Sequence, residues 1–261
     1  MKCSLIITTY NRPDALKLVL SSVEEQTVLP SEVIVADDGS DDKTRATIKH
    51  FQSRKVLNIK HSWQEDLGFR AAKSRNKAIA LSTHDYIVLI DGDMILHTHF
   101  IEDHLKHAKN GFFIQGKRSL LTRQLTSAAL ENQITHFSFL DKGVQNHKNS
   151  LYSNLLSKFF SSTKTHLKGV KTCNMSFFKK DCIAVNGFNE DFKGWGREDS
   201  EFVVRLINNG VLRKTLRFQA IQYHLHHHEN SRGMLHDNDI RLQYSISNQL
   251  RWCENGINKH I

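Results

Sequence analysis

The sequence is poor in the residues that define several protein classes. Of its 261 residues only four are cysteine and two are proline. The cysteines lie far apart and form no CxxC pair, which argues against a disulfide scaffold and against a thiolate zinc site, and which fits a reducing cytosol. No repeat and no Pro/Gly linker divides the chain. Because this length suits one domain of ordinary size, we expect a single domain.

Long hydrophobic runs are also missing. The apolar stretch at residues 86–90 is among the longest, whereas a membrane-spanning helix needs about 20 predominantly apolar residues. The N-terminal run at residues 3–9 is too short for a signal peptide, and Arg12, Pro13 and Asp14 follow it. The sequence therefore predicts a cytoplasmic protein that is neither exported nor integral to a membrane.

Acidic residues are fewer than basic ones, with 27 Asp+Glu against 36 Lys+Arg and a net charge of +9. Such a surplus indicates an anionic partner: nucleic acid, a phosphorylated ligand or an acidic membrane surface. More than half of it falls in residues 121–171. Within that segment, apolar residues at near-helical spacing over residues 151–160 favour a short basic amphipathic helix, and an ordinary packed helix or loop is the alternative.

Short apolar runs alternate with helical patterns through the first half of the chain. The runs at residues 4–9, 32–36, 56–59 and 86–90 predict strands, and residues 14–26, 43–52 and 70–82 predict helices. This order predicts an α/β fold with a mostly parallel, doubly wound sheet, whose ligands gather at the carboxyl ends of the strands. Polar clusters at residues 9–12, 37–38 and 91–93 follow three of these runs.

Asp91-Gly92-Asp93 follows the apolar run at residues 86–90 directly. Two carboxylates one residue apart at a sheet edge can share a divalent cation with a diphosphate, and oxygen ligands of this kind suit Mg²⁺ or Mn²⁺. A polar turn is the alternative for so short a motif. The acidic pair Asp37-Asp38 at the end of an earlier strand favours the metal site.

The segment Gly194-Trp195-Gly196-Arg197-Glu198-Asp199 places two adjacent acids after a tryptophan flanked by glycines. Helical spacing over residues 200–208 puts these acids in the first turn of a helix, where the helix dipole favours negative charge. A well-capped helix is one interpretation. An aromatic face beside carboxylates is also a common way to hold a sugar, so Trp195 favours a saccharide site.

The segment from His224 to Glu229 contains four histidines. Its spacing fits neither HExxH nor a Cys/His finger, so a dedicated zinc site is not expected. The sharper hypothesis is that one histidine completes the cation site begun at Asp93. His224, His226 and His227 remain alternatives, and the other histidines would be solvated loop residues.

Taken in order, these motifs resemble the nucleotide-sugar half of family-two inverting glycosyltransferases of the GT-A fold. They are Ile-Thr-Thr-Tyr-Asn-Arg at 7–12, Val-Ala-Asp-Asp-Gly-Ser at 35–40, Arg-Asn at 75–76 and Asp-Gly-Asp at 91–93. Residues 194–199 are similar to the C-terminal signature of β-1,4-galactosyltransferases and bacterial chondroitin-type polymerases, although Arg197 stands where the former more often have Gly. The resemblance covers residues 3–230 and implies a GT-A-type, Rossmann-like three-layer sandwich.

The resemblance also implies a role for each matching residue. The nucleotide-sugar-binding residues would be Thr9, Asn11, Arg12, Asp37, Asp38, Arg75 and Asp91. Asp93 and His224 would bind Mn²⁺ or Mg²⁺. Trp195 and Glu198 would hold the acceptor, and Asp199 would be the catalytic base.

The resulting hypothesis is a metal-dependent inverting glycosyltransferase. It would move a hexose or N-acetylhexosamine from a UDP-sugar to a saccharide or lipid-linked saccharide during synthesis of a bacterial surface glycan, such as a lipopolysaccharide core or a capsule. Because the expected site residues are acidic, the donor's charge would be met by the cation. The basic surplus would then hold the enzyme near the inner face of an anionic membrane or near a phosphorylated acceptor.

Two alternatives come from other classes. A sugar-phosphate nucleotidyltransferase normally has a Gly-rich phosphate loop near the first strand, and residues 9–12 are not one. A non-catalytic nucleic-acid-binding protein would interleave basic and aromatic residues on one face, so no nucleic acid is expected. For the domain organisation we expect a glycosyltransferase domain at 1–234, with a nucleotide-sugar half (1–115) and an acceptor half (116–234), and a helical extension at 235–261.

Overall fold

The computed structural model describes residues 1–228 and 232–261. The strands are Cys3–Thr9 (β1), Glu32–Asp37 (β2), Ile59–Trp63 (β3), Tyr86–Asp91 (β4), Met94–Leu96 (β5), Phe112–Gln115 (β6), Ser119–Leu121 (β7), Val144–Gln145 (β8), Ser162–Lys164 (β9), Asn174–Phe178 (β10), Leu212–Thr215 (β11) and Gln222–His224 (β12). The α-helices are Pro13–Glu24 (α1), Asp42–Arg54 (α2), Ala71–Leu81 (α3), Phe100–His107 (α4), Arg123–Asn132 (α5), Asn154–Phe160 (α6), Lys179–Ala184 (α7), Glu198–Asn208 (α8) and Leu235–Ser247 (α9).

Two sheets organise these strands. The large sheet has the order β3-β2-β1-β4-β10-β6-β11-β9, and the small one β5-β12-β7-β8. β1 to β4 run parallel, and β10 lies antiparallel between β4 and β6. Within the parallel part, Thr9 pairs with Asp37 and Thr8 with Asp91. The three polar clusters predicted at strand ends therefore lie along one edge of the sheet.

Helices cover both faces of the large sheet. One face packs against α1, α2 and α4, and the other against α3, α7 and α8. Since successive side chains of a strand point to opposite faces, a strand buried on both faces is continuously apolar, as β4 is. The predicted three-layer α/β sandwich is confirmed.

The third predicted strand is wrong in its position. Residues 56–59 were expected to form it, but β3 begins at Ile59, which pairs with Val33. α2 continues to Arg54, and Lys55 ends it in the left-handed conformation with φ 57°. Because the chain must turn there before it reaches the sheet edge, Val56 stays exposed.

The basic amphipathic pattern at residues 151–160 forms a helix, α6, shorter than the pattern. Three of its four apolar side chains are exposed, Leu155 at 65%, Phe159 at 75% and Phe160 at 55%, and Leu156 is partly buried. The small residue Ser157 is the buried one on this helix. The predicted helix is present, and its role stays a prediction.

The C-terminal residues 235–261 pack on the same core as the rest of the chain. Ser245 of α9 donates a hydrogen bond to Glu201 of α8, and Ile257 is buried among residues that pack on α3. The boundaries at residues 115 and 234 remain predictions. The four cysteines are free and buried, and no helix in the described part of the chain is long and apolar enough to cross a bilayer.

Candidate active site

The turn after β4 is held tightly against the end of β1. The amide of Gly92 donates to the carbonyl of Thr8 at 2.7 Å. A Cβ atom at position 92 would lie 2.9 Å from that carbonyl oxygen and 3.1 Å from Oγ1 of Thr9. Only glycine fits there, so this contact fixes the positions of Asp91 and Asp93 on either side.

Asp93 lies against two histidines. Its Oδ2 is 3.4 Å from Nε2 of His224 and 3.1 Å from Nε2 of His227, and the two imidazole nitrogens are 3.2 Å apart. The pairing of β12 with β5, together with a hydrogen bond from the Leu225 amide to the Asp93 carbonyl, brings this loop to the acidic turn. His226 is exposed, and Glu229 lies outside the described residues.

The three side chains fit a divalent cation. Their ligand atoms all lie within 4.8 Å of one another, and Oδ1 of Asp93 is buried without a hydrogen-bond partner among the described residues. Burial opposes ionisation of Asp93, but hydrogen bonds from His224 and His227 outweigh it and hold the pKa of this carboxyl below its usual range. One carboxylate and two imidazoles suit a first-row divalent metal and leave positions open for other oxygens.

Arg75 links the predicted donor and acceptor residues. Its Nη1 donates to Oε1 of Glu198 at 2.9 Å, and its Nη2 lies 3.4 Å from Oδ1 of Asp91. Its guanidinium also lies over the ring of Phe188, at 5.6 Å. Arg75 is buried, so this bridge fixes α8 relative to β4 at a distance of more than a hundred residues in sequence.

The two acids Glu198 and Asp199 lie in the first turn of α8, as the sequence predicted. Arg197 precedes them with φ 78°, and the buried ion pair between Glu201 and Arg205 holds the helix below. Burial, with the neighbouring charge of Glu198 second, raises the pKa of Asp199 to about 7. A carboxyl that titrates near neutral pH is suited to general-base chemistry.

The two predicted nucleotide-binding acids, Asp37 and Asp38, have different surroundings in the structure. Asp37 is fully buried, with Oδ2 2.8 Å from Nε2 of His61 and Oδ1 accepting from the Ser40 amide. Asp38 accepts from Gln64 and from the Arg70 amide, and it lines a cavity. Asp37 therefore supports the turn, whereas Asp38 lines the cavity.

The other predicted nucleotide contacts also differ in position. Asn11 uses its side-chain oxygen to accept from the Asp41 amide, so it braces a loop. Arg12 forms an ion pair with Asp14, with Nε 3.3 Å from Oδ1. Thr9 is buried beside Gly92, and its Oγ1 has no hydrogen-bond partner among the described residues.

A cavity of about 510 Å³ opens beside these residues. It is lined by Tyr10, Asp38, Gly68, Phe69, Gly194, Trp195, Gly233 and Met234. Tyr10 donates to Asp66 at 2.8 Å, and the guanidinium of Arg232 lies 5.3 Å from the centre of the Trp195 ring. Aromatic walls with a carboxylate at one side suit a planar base or the apolar face of a sugar.

Sequence reasoning missed three contributors to this region. Tyr10 belongs to the motif at residues 9–12 but was not singled out, while Phe69 and Met234 carried no signal. His227 was considered only as a rival of His224, and the structure brings both to Asp93.

Comparison with known families assigns most of the chain. The sequence profile described as glycosyl transferase family 2 matches residues 4–177, and the one described as N-terminal domain of galactosyltransferase matches residues 155–229. Together they span the edge clusters, the segment at 194–199 and His224. The chain is thus a glycosyltransferase by family, which disfavours both the nucleotidyltransferase and the nucleic-acid-binding alternatives.

Curated relatives agree over nearly the whole chain. A chondroitin synthase of Escherichia coli is 26% identical over 275 residues, covering 95% of this chain and 37% of the relative. A hyaluronan synthase of Pasteurella multocida is 29% identical, covering 82% and 23%. A validoxylamine A glucosyltransferase of Streptomyces hygroscopicus subsp. limoneus is 29% identical, covering 96% and 58%. The chain therefore spans less than two thirds of each of these proteins.

Solved structures share the fold. TarS 1-349 of S. aureus superposes with a TM-score of 0.63 at 17% identity, covering 95% of this chain and 65% of that one. The same protein in complex with UDP-GlcNAc gives 0.62 at 20% identity, covering 88% and 60%. At this identity the likeness concerns the fold, and it agrees with the GT-A type that the motifs implied. With the family profile matching two thirds of its length and carrying these motifs, the chain belongs to glycosyl transferase family 2.

Proposed function

We propose that this protein transfers a hexose or N-acetylhexosamine from a UDP-sugar to a saccharide, with inversion at the anomeric carbon. The observation that carries the proposal is the Arg75 bridge, since it joins Asp91 of the donor-side motif to Glu198 of the acceptor-side motif. The names of the relatives support a polysaccharide as product. The UDP-GlcNAc complex of TarS supports a UDP-sugar as donor.

The donor would lie along the edge formed by β1, β2 and β4. Asp38 and Tyr10 would contact the nucleoside from the cavity wall, with Thr9 beside them. Asp37 and Asn11 would contribute by holding the loops that carry these contacts. Arg12, just after the end of β1, would lie beside the diphosphate.

Asp93, His224 and His227 would hold the cation. Since imidazole ligands suit Mn²⁺ better than Mg²⁺, the second histidine favours Mn²⁺. Bound there, the cation would supply Lewis-acid stabilisation of the departing diphosphate. Asp91, held by Arg75, would contact the ribose or the water around the cation.

Asp199 would act as the base. It would accept the proton of the acceptor hydroxyl as that oxygen attacks the anomeric carbon from the face opposite UDP. Glu198, fixed by Arg75, and Trp195 would orient the acceptor sugar. General-base catalysis of this kind contributes typically about 10²–10⁴-fold.

A panel of UDP-sugars tests this function. We expect hydrolysis or transfer with one or a few UDP-hexoses in the presence of Mn²⁺, and much less with EDTA. NMR of the glycoside product is expected to show an inverted anomeric centre. A retained configuration would contradict the role of Asp199, and turnover of nucleoside triphosphates instead of UDP-sugars would contradict the reaction class.

We further propose that the protein acts at the inner face of an anionic membrane on a lipid-linked saccharide of a surface glycan, such as a lipopolysaccharide core or a capsule. The exposed side chains Leu155, Phe159 and Phe160 of α6 support this, because Lys158 and Lys106 lie on or beside the same helix. Apolar side chains flanked by lysines bind such interfaces by burial and by attraction to acidic lipids.

Replacing two of these side chains, Leu155→Ser with Phe159→Ser, is expected to lower partitioning to vesicles at least about tenfold, since burial of one such side chain is worth about 1.5–3 kcal/mol. Co-sedimentation with and without anionic lipid measures it. The matched control is Ile240→Ser, because Ile240 on α9 is also exposed, at 56%. Equal binding of neutral and anionic vesicles, or equal loss in the control, would contradict the membrane role of α6.

A further inference from the structure

Six cationic or potentially cationic side chains gather on one side of the large sheet. This basic cluster consists of Lys117, Lys164, His166, Lys168, Arg213 and Arg217. Arg213 and Lys164 are direct cross-strand neighbours on β11 and β9. Lys117 reaches the turn at Gly169, where its Nζ would lie 3.6 Å from a Cβ atom. Residues more than ninety positions apart thus form one surface.

The cluster lacks negative charge of its own. Within residues 1–228 and 232–261, no carboxylate forms an ion pair with any of its members. Burial first, and then the charges of Lys164, Arg213 and Arg217, lower the pKa of Lys117. Cations that repel one another without a carboxylate partner are typical of a surface that binds an anion.

Arg213 gives the strongest single indication that the basic cluster binds an anion. It is only 2% exposed, and its Nη1 donates to the Lys168 carbonyl at 3.2 Å while Nη2 lies 3.3 Å from Nδ1 of His166. Its Nε has no hydrogen-bond partner among the described residues. A buried guanidinium without a counter-charge is unfavourable, so this position is suited to a ligand that supplies one.

The cluster lies on the same side of the sheet as the candidate base. Arg213 pairs with Phe113, which belongs to the core shared with α8 and with Val170. Next along the chain, Lys171 carries a positive charge that partly offsets the burial by which the pKa of Asp199 is raised. Lys171, three residues after Lys168 of the basic cluster, therefore carries a positive charge that acts on the candidate base.

We propose that the acceptor is an anionic glycan, and that the basic cluster binds a carboxylate or phosphate group on sugar units beyond the one that receives the new sugar. This inference rests on the transfer reaction proposed above and names its substrate class. The donor diphosphate does not account for the cluster, because that charge is assigned to the site at Asp93.

Binding of labelled oligosaccharides in the presence of UDP and Mn²⁺ tests the proposal. The probes are a glucuronate-containing hexasaccharide, the same hexasaccharide with its carboxyl groups reduced to alcohols, and an oligomer of sugar phosphates. The variant is Lys117→Gln with Lys168→Gln, and the matched control is Lys43→Gln with Lys49→Gln on the exposed face of α2. Thermal unfolding checks that both fold.

We expect at least one anionic probe to bind about tenfold more tightly than the reduced one, because charge-assisted hydrogen bonds are strong. The affinity for this probe should fall at least about tenfold in the Lys117/Lys168 variant and stay unchanged in the control variant. Preference for the uronate or for the phosphate probe identifies the group. The proposal would be overturned if the reduced probe bound as tightly as the anionic ones, or if the Lys117/Lys168 variant bound the anionic probes unchanged. Tighter binding of a single-stranded oligonucleotide or of anionic vesicles at these lysines would also overturn it. Donor hydrolysis by the unsubstituted protein is measured separately, so its absence would count against the transfer activity and not against this inference.

Discussion

Asp199→Asn is expected to lower the transfer rate by about 10²–10⁴-fold while UDP binding is retained. Asparagine has the shape of aspartate but cannot accept the hydroxyl proton. UDP binding should be retained because the proposed donor-binding acids lie at the ends of β2 and β4, whereas Asp199 lies in the first turn of α8. Initial rates of transfer, with UDP affinity measured by calorimetry, separate the two effects. The control is Asp42→Asn, which removes an exposed carboxylate in the first turn of α2. Full activity of Asp199→Asn would exclude this residue as the base.

Stability gives an internal check on the same variant. Folding raises the pKa of Asp199 from 3.8 to about 7, so the unfolded state ionises first. The stability of the fold therefore falls as pH rises from about 4 to about 7, and the penalty is complete above that. A neutral amide relieves this penalty. We therefore expect the thermal midpoint of Asp199→Asn at pH 8 to equal or exceed that of the unsubstituted protein, so that lost activity cannot be attributed to unfolding.

The pH dependence follows from the same carboxyl. The base must be ionised, so kcat/KM is expected to rise as pH increases through about 7 and then to level off. The residual activity of Asp199→Asn should lack this step. A profile that is unchanged in the variant would assign the titration to another group.

Asp93→Ala is expected to have the second large effect, on donor binding. It removes the carboxylate of the candidate cation site. Since changes even in groups that only orient metal ligands cost about 10–100-fold, the affinity for UDP in the presence of Mn²⁺ should fall at least about a hundredfold. Calorimetry with UDP and Mn²⁺ measures this, and EDTA should bring the unsubstituted protein to the level of the variant.

The histidines that follow β12, at positions 224, 226 and 227, supply matched controls for this experiment. His224→Ala and His227→Ala should each weaken Mn²⁺-dependent UDP binding, because both imidazoles contact Asp93. His226→Ala should have little effect, since His226 is exposed and outside the cluster. Tight UDP binding by Asp93→Ala, or an equal effect of all three histidine changes, would contradict the metal site.

Much of the architecture was predictable from local patterns. Alternating apolar runs and helices determine a parallel sheet, and parallel strands bring their carboxyl ends to one edge. For this reason the sequence alone predicts that the clusters at Asp38 and Asp91 lie together. The position of β3 was not predictable in the same way, because it depends on a left-handed turn at Lys55 and on pairing with Val33.

In the candidate site, too, some residues are predictable from local motifs and others depend on strand pairing. Motif order predicted Asp93, Glu198 and Asp199 as candidates, because each belongs to a motif formed by neighbouring residues. Which histidines meet Asp93 depends on how β12 pairs with β5, and that register is a contact between segments about 130 residues apart. No local spacing in the histidine run distinguishes His226 from His227.

The fold class, the family and the chemical types at the strand ends follow from the sequence, because periodicity and short motifs are local properties of the chain. Other features depend on the folded chain: Asp37 supports a turn while Asp38 faces a cavity, and Arg75 joins the two acidic motifs. Arg213 is buried without a carboxylate partner among the described residues. Burial and charge pairing arise between distant segments, and they determine whether a polar side chain holds the fold together or meets a ligand.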